Sequence, residues 1–251
     1  MSNIEYTTFT NAGSREINED SCGVAVFEDA YCFVVADGLG GHGGGDVASS
    51  CAVRVVCELF EKTGYSGHFF EEAFQSVQRE IVAAQQQART VSQMKTTMVI
   101  LVVTSKHTYW AHVGDSRLYQ WSGQKLKLHT MDHSVPQMLA LSGEITEAEI
   151  RHHPDRNRLL RVMGVKGESP QFQCGKGARN HGVQTYLLCT DGYWELIEAA
   201  QMTSILDTRR PLEEWIMGMN RTIVQAGVGT EMDNYTAVAV RVCTKGLLGM
   251  I

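Results

Sequence analysis

The chain has 251 residues, 43% of them hydrophobic, and a formal net charge of −6. That length and apolar content allow a full-sized core in one large domain or two small ones, while the acidic balance argues against general affinity for nucleic acid or anionic membranes. The 7 cysteines are an odd number without CxxC spacing, which supports neither a zinc site nor a disulfide framework and fits buried thiols in a reducing compartment.

Met1 to Thr10 lacks a basic stretch followed by an apolar one, so no secretory signal is read there. No apolar run is long enough to span a bilayer, and the apolar tail from Gly246 to Ile251 is far too short. A cytoplasmic protein is expected.

In chain order, Ser21–Phe27 and Tyr31–Ala36 are β-rich runs joined by a hairpin turn at Glu28-Asp29. The second run ends at Asp37-Gly38 and is followed by a glycine-rich loop through Gly45. From Asp46 the spacing of Val47, Ala48, Cys51, Val55 and Leu59 predicts a helix, broken by Gly64–Gly67. Phe69–Gln87 predicts a second helix with Phe70, Phe74, Val77 and Ile81 facing inward. Thr97–Thr104, His107–Val113, Arg117–Trp121 and Lys125–His129 are strand runs whose short turns favour an antiparallel meander. His133–Arg161 is mostly helical and polar. Val183–Thr190 is a strand ending at Asp191-Gly192, Leu196–Leu206 and Leu212–Ala226 are helices, and Tyr235–Val242 is a closing strand. This order lacks the βαβα alternation of a parallel sheet. It predicts an α+β sandwich with antiparallel sheets at the centre and helices outside, in one domain spanning residues 1–251.

Four acidic stretches stand beside apolar, strand-like runs: Asn18-Glu19-Asp20, Asp37-Gly38, Asp191-Gly192 and Asp233-Asn234. A lone aspartate of this kind is ordinarily turn chemistry. Three at strand ends in one domain point instead to a shared site for hard divalent cations, which prefer oxygen ligands. Gly38 to Gly45 has neither the Gly-Lys-Ser/Thr ending of a P-loop nor the GxGxxG spacing of a dinucleotide site. It reads as a flexible approach to the acids. His42 within it is open to three readings: general acid, water-mediated contact, or solvated loop residue. His152-His153 has no third ligand placed with it. His129, Asp132 and His133 read as a turn and a helix start, and Trp194 and Trp215 as packing.

Gly13-x-Arg15-x-x-Asn18-Glu19-Asp20, Ala36-Asp37-Gly38 through His42, His112-Val113-Gly114-Asp115-Ser116-Arg117, Asp132-His133-Ser134, Cys189-Thr190-Asp191-Gly192 and Asp233-Asn234 follow one another along the chain. Together, from about Phe9 to Val242, they resemble the bacterial branch of the PPM family, the metal-dependent protein phosphatases of type 2C. The resemblance implies a four-layer α-β-β-α sandwich and two Mn²⁺ or Mg²⁺ ions. Asp37 would bridge both ions, Asp191 and Asp233 would complete one shell, the Gly38 carbonyl would bind the other ion, and Glu19 would reach it through water. Asp115, with Asp191, would help hold a third, weaker ion. Arg15 would grip the substrate phosphate, and Thr97 would support the site from a neighbouring strand.

The implied reaction is hydrolysis of phosphoserine or phosphothreonine in proteins, opposing a serine/threonine kinase, by a hydroxide held between two ions and attacking phosphorus in line. Asp37 and Arg15 would be its catalytic residues. The chain departs from the family in having Leu39 where many animal members place a histidine, and Asp46 where bacterial relatives often have glutamate. Residues 134–161 correspond to the family's flap, the least similar part. Two other functions stay open on the same scaffold: a noncatalytic phosphoprotein-binding regulator, and a phosphoesterase for another substrate such as a nucleotide.

Overall fold

Two antiparallel sheets are stacked face to face and covered on their outer sides by helices. The computed structural model describes residues 2–40, 44–87, 94–175 and 177–244. The first sheet contains β1 (Ser2–Asn11), β12 (Tyr235–Thr244), β11 (Val183–Cys189), β7 (Arg117–Ser122) and β8 (Lys125–His129), in that order. The second contains β10 (Ala178–Arg179), β6 (His107–Val113), β5 (Met98–Val103), β3 (Ala30–Leu39) and β2 (Asp20–Phe27). Two short strands extend it: β4 (Lys95–Thr96) pairs with β3, and β9 (Gln173–Cys174) with β6.

Helices α1 (Gly45–Thr63) and α2 (Phe69–Gln87) pack on the second sheet. Helices α4 (Asp191–Trp194), α5 (Ala199–Ile205) and α6 (Leu212–Ala226) pack on the first. Between these sets, residues 134–161 contribute α3 (Val135–Ser142) and a short 3₁₀ helix (Glu147–His152).

Strand periodicity explains the layering, because successive side chains point to opposite faces. On β3, Cys32, Val34 and Ala36 join the cluster under α1 and α2, while Phe33 and Val35 join the cluster between the sheets. β5 divides in the same way: Met98, Ile100 and Val102 face the helices, and Val99, Leu101 and Val103 face the other sheet. Both faces are dry, so this strand is apolar throughout. From the opposite sheet, Tyr186, Leu188, Val238, Val240 and Val242 complete the inter-sheet core.

The expected sandwich is present, with four local corrections. Asp37 and Gly38 do not terminate β3; the strand continues to Leu39 because β4 pairs with Gly38 and Leu39. The expected four-strand meander is divided between the sheets: β5 and β6 pair in one and β7 and β8 in the other, and Gly114–Ser116 carries the chain across. Less of the 133–161 segment is helical than its composition suggested, and the predicted 196–206 helix is only Ala199–Ile205, preceded by the separate turn of α4. The sequence reading also missed β1, a polar edge strand rich in threonine that pairs with β12 along its whole length. Phe69–Gln87, His107–Val113, Lys125–His129 and Leu212–Ala226 have the predicted bounds.

Leu188 is fully buried between the sheets. Leu188→Ala is expected to destabilise the protein by about 2–5 kcal/mol, the usual cost of a buried leucine truncation, measured by urea unfolding; a loss below about 1 kcal/mol would contradict an inter-sheet core packed in this way.

Candidate metal centre between the sheet ends

The parity that sends Phe33 and Val35 between the sheets sends Asp37 there too, at the open end of the sandwich. Asp20 lies opposite Asp37 on β2. The Asp37 backbone is fixed from the neighbouring strand. Its N–H donates to Thr97 Oγ1 (3.0 Å), and its carbonyl accepts from Thr97 N–H (2.9 Å) and Thr96 Oγ1 (2.8 Å). Thr97 Oγ1 is in turn paired with Ser116 Oγ at 2.7 Å, so the support expected of Thr97 takes a definite form.

The other sheet brings its acids to the same place. Thr190, just after β11, directs its hydroxyl across to Asp20 Oδ2 (2.9 Å), a hydrogen bond that joins the two sheets here. Asp191 follows as the first residue of α4, with its carboxylate accepting from Gly192 N–H at 2.5 Å. Asp233, just before β12, accepts from Asn234 N–H (2.8 Å) and from Arg15 Nη2 (3.0 Å). Asn234 is the knot of this region: its Oδ1 accepts from Glu19 N–H (2.8 Å), and its Nδ2 donates to the Ala12 and Ile17 carbonyls (2.9 and 3.1 Å).

The result is a cavity of about 620 Å³ lined by Arg15, Glu19, Asp37, Gly38, Asp191 and Asp233, among others. Six of the expected site residues therefore meet in one place. The seventh, Asp115, does not line the cavity. It is buried beside it, 5% exposed, with Oδ1 lacking any hydrogen-bond partner. His42 lies outside the described residues. Gly38 is required sterically: a β-carbon there would stand 2.2 Å from the Gly45 carbonyl oxygen and 2.7 Å from that of Glu19.

Burial and mutual repulsion raise the pKa values of Glu19, Asp20, Asp37, Asp115 and Asp191. Burial first, then the charge of Asp191, holds Asp37 well above the ordinary carboxylate range. Burial, then Asp191, does the same to Asp115. Burial moves Asp20 up to about 7, and burial with Asp233 moves Asp191 up to about 6. Glu19 is raised by burial and then by Asp46. Such a cluster is short of positive charge. Its all-oxygen donors and the orphaned atoms Asp20 Oδ1, Asp46 Oδ1 and Asp115 Oδ1 suit hard divalent cations. Among the described residues no three histidine, cysteine or acidic side chains are grouped closely enough to hold a metal ion as they stand, so the arrangement is an open cluster rather than a closed cage.

Two sequence readings are revised. Asp132 does not start a helix: Ser134 caps α3, accepting from Gln137 N–H, while Asp132 is buried in an ion pair with Arg117. His133 stacks on His112, with ring centroids 4.6 Å apart, and its Nδ1 accepts from Gly114 N–H. Trp194 does pack rather than bind substrate, with Arg117 lying 3.4 Å above its ring. The roles of Asn234, Thr190 and Ser49, whose hydroxyl caps the Glu19 carbonyl at 2.5 Å, went unread. Each is a small polar residue in or near a motif, and only the fold shows what it bonds.

A profile of the protein phosphatase 2C family matches residues 10–234. Serine/threonine phosphatase stp of Listeria innocua is 34% identical over 213 residues, covering 80% of this chain and 81% of that relative. Protein phosphatase PhpP of Streptococcus pneumoniae is 27% identical over 249 residues, covering 94% and 97%. Among solved structures, serine/threonine phosphatase Stp1 from Staphylococcus aureus superposes with a TM-score of 0.84 at 26% identity, over 97% of this chain and 96% of that one. The catalytic domain of the phosphatase PstP in complex with two manganese ions shares the fold, with a TM-score of 0.81 at 23% identity and coverage of 97% and 100%. The chain belongs to the protein phosphatase 2C family. It is accordingly an enzyme, a protein phosphatase of the bacterial kind.

The paired imidazoles give a testable pH dependence. Burial, then the neighbouring His112, lowers the pKa of His133 to about 3, and burial lowers that of His112 in the same direction. The unfolded chain binds a proton on each near pH 6.5, whereas the folded protein does not. Stability is therefore complete above about 6.5 and is lost as pH falls toward 3. His133→Asn is expected to lower Tm at pH 8 and to narrow its deficit steadily on acidification, read by thermal melts across the range. A deficit constant from pH 8 to 4.5 would contradict the neutral pair.

Proposed function

We propose that the chain removes phosphate from phosphoserine and phosphothreonine in proteins, with Mn²⁺ or Mg²⁺, opposing a serine/threonine kinase. The observation that carries this reading is the meeting of Glu19, Asp37, Asp191 and Asp233 with the guanidinium of Arg15 in one cavity at the sheet ends. Glu19, Asp37, Gly38, Asp191 and Asp233 would hold two cations, and Asp115 with Asp191 a third, weaker one. Bound there, divalent ions supply positive charge for phosphoryl oxygens and lower the pKa of water enough for a nucleophile to exist at neutral pH.

The remaining work falls to the chain's own residues. Arg15 is 58% exposed at the rim, and its planar fork suits phosphoryl oxygens. Its present bond to Asp233 keeps that fork beside the acids until substrate takes it. Thr96 and Thr97 fix the Asp37 backbone, so its carboxylate is positioned before substrate arrives. Leu39 lines the cavity and has no proton to give. Residues 134–161 reach the cavity through Asn157, which supports reading them as the flap over the substrate within one domain spanning 1–251.

A cytoplasmic setting accords with seven unpaired cysteines. No helix among the described residues is long and apolar enough to cross a membrane.

Hydrolysis of a phosphothreonine peptide is expected to require Mn²⁺ and to stop in EDTA; full turnover in metal-free buffer would overturn the reading. Asp37→Ala and Asp191→Ala are expected to abolish turnover while leaving the far-UV circular dichroism unchanged, and near-normal kcat in either would reject the assignment. Arg15→Lys keeps the charge and loses the fork, so kcat/KM should fall by about tenfold or more. Comparison with nucleotide substrates separates a protein phosphatase from a general phosphoesterase. Metal-independent phosphoprotein capture without phosphate release would favour a noncatalytic regulator.

A further inference from the structure

We infer that Arg117 is a positioning residue that ties the root of the 134–161 segment to the acid cluster; the inference deepens the phosphatase reading and rests on it for its catalytic consequence. Arg117 begins β7, two residues after Asp115, and is 5% exposed. Its Nε and Nη2 donate to the two carboxylate oxygens of Asp132, both at 2.7 Å, and Nη1 donates to Tyr119 Oη at 3.2 Å. Asp132 is itself 6% exposed. The guanidinium lies 3.4 Å from the centre of the Trp194 ring. Trp194 Nε1 donates to the Asp115 carbonyl at 3.0 Å.

These contacts form a chain of constraint. The two-pronged bond to Asp132 fixes the plane of the guanidinium. That plane seats the indole, and the indole N–H holds the Asp115 backbone. Trp194 ends the four-residue helix that Asp191 begins, so the same stack fixes the turn presenting Asp191. Asp115 and Asp191 follow the ends of different strands, and they are held in one relation through a residue that does not line the acid cavity.

The far side of the clamp is the flap root. Asp132 N–H donates to Gln137 Oε1 (3.1 Å) in α3, and His133 N–H to the Gly114 carbonyl (2.9 Å). Movement of α3 therefore reaches the Gly114-Asp115 loop through a rigid plane.

Stability alone is a weak reason for such a pair. Removing both charges of a buried ion pair is often neutral, while removing one is costly. Lysine cannot replace the arginine as a positioning element, because an ammonium has neither a plane nor a fork. Groups that orient metal ligands from behind are worth about 10–100-fold in metal affinity when altered.

The test uses the full chain, Mn²⁺ alone as calorimetric probe, thermal melts without metal, and kcat and KM for a phosphothreonine peptide. The double variant R117M/D132L removes both charges. It is expected to melt within about 5 °C of wild type, to bind Mn²⁺ about 10–100-fold more weakly, and to lose kcat with little change in KM. R117K keeps the charge without the fork, and should show the same loss of Mn²⁺ affinity even if the double variant fails to fold. The inference is overturned if the double variant regains wild-type Mn²⁺ affinity along with its Tm, or if folded R117K binds Mn²⁺ as wild type does. Because calorimetry needs no turnover, a wild type that binds Mn²⁺ yet hydrolyses no phosphopeptide would reject the functional reading while still deciding the clamp.

Discussion

The hydrogen bond from Thr190 to Asp20 is the constraint on which the rest of the site depends. It joins the two sheets at their open end, over a core otherwise made of aliphatic and aromatic side chains. Asp20 faces Asp37 across the β2–β3 ladder, and Thr190 precedes Asp191. This bond, together with that from Glu19 N–H to Asn234 Oδ1, sets the distance between the acids of one layer and those of the other. The inter-sheet core makes this end rigid, since interiors packed to crystal-like density resist sliding.

The energetic consequence is local frustration. Asp37, Asp115 and Asp191 share a buried space, and each of the three is pushed toward its protonated form by burial and by its neighbours. An apolar replacement would fold more comfortably, and Arg15 on Asp233 relieves only part of the repulsion. Clusters of perturbed acids of this kind are characteristic of functional sites. Cations bound there would remove the conflict, and on the proposed function the same residues would also serve an enzyme acting on a dianionic phosphate.

How much of this could be read in the chain differs from element to element. Phe69–Gln87 and Leu212–Ala226 were legible because apolar spacing alone determines an amphipathic helix. β1 was not, because its polar, threonine-containing run carries little hydrophobic contrast and its partner, β12, is more than two hundred residues away. The sheet change at Gly114–Ser116 was hidden for a related reason: a two- or three-residue connection looks the same whether it closes a hairpin or crosses between layers. Among site residues, Asp37, Asp191, Asp233, Glu19 and Arg15 stood out through ordered motifs. Asn234 sat in those motifs without a visible role and Asp132 read as part of a turn and helix start, since their partners, Glu19 and Arg117, are identified only by the folded path.

The central claim is that these acids, gathered by two sheets, form the cation site that the chemistry requires. Anomalous diffraction from crystals soaked in Mn²⁺ tests it most directly. Peaks within the cavity bounded by Glu19, Asp37, Gly38, Asp191 and Asp233 are predicted. An enzyme active in the same Mn²⁺ buffer, whose crystals show no peak there or show one only elsewhere, would contradict the account.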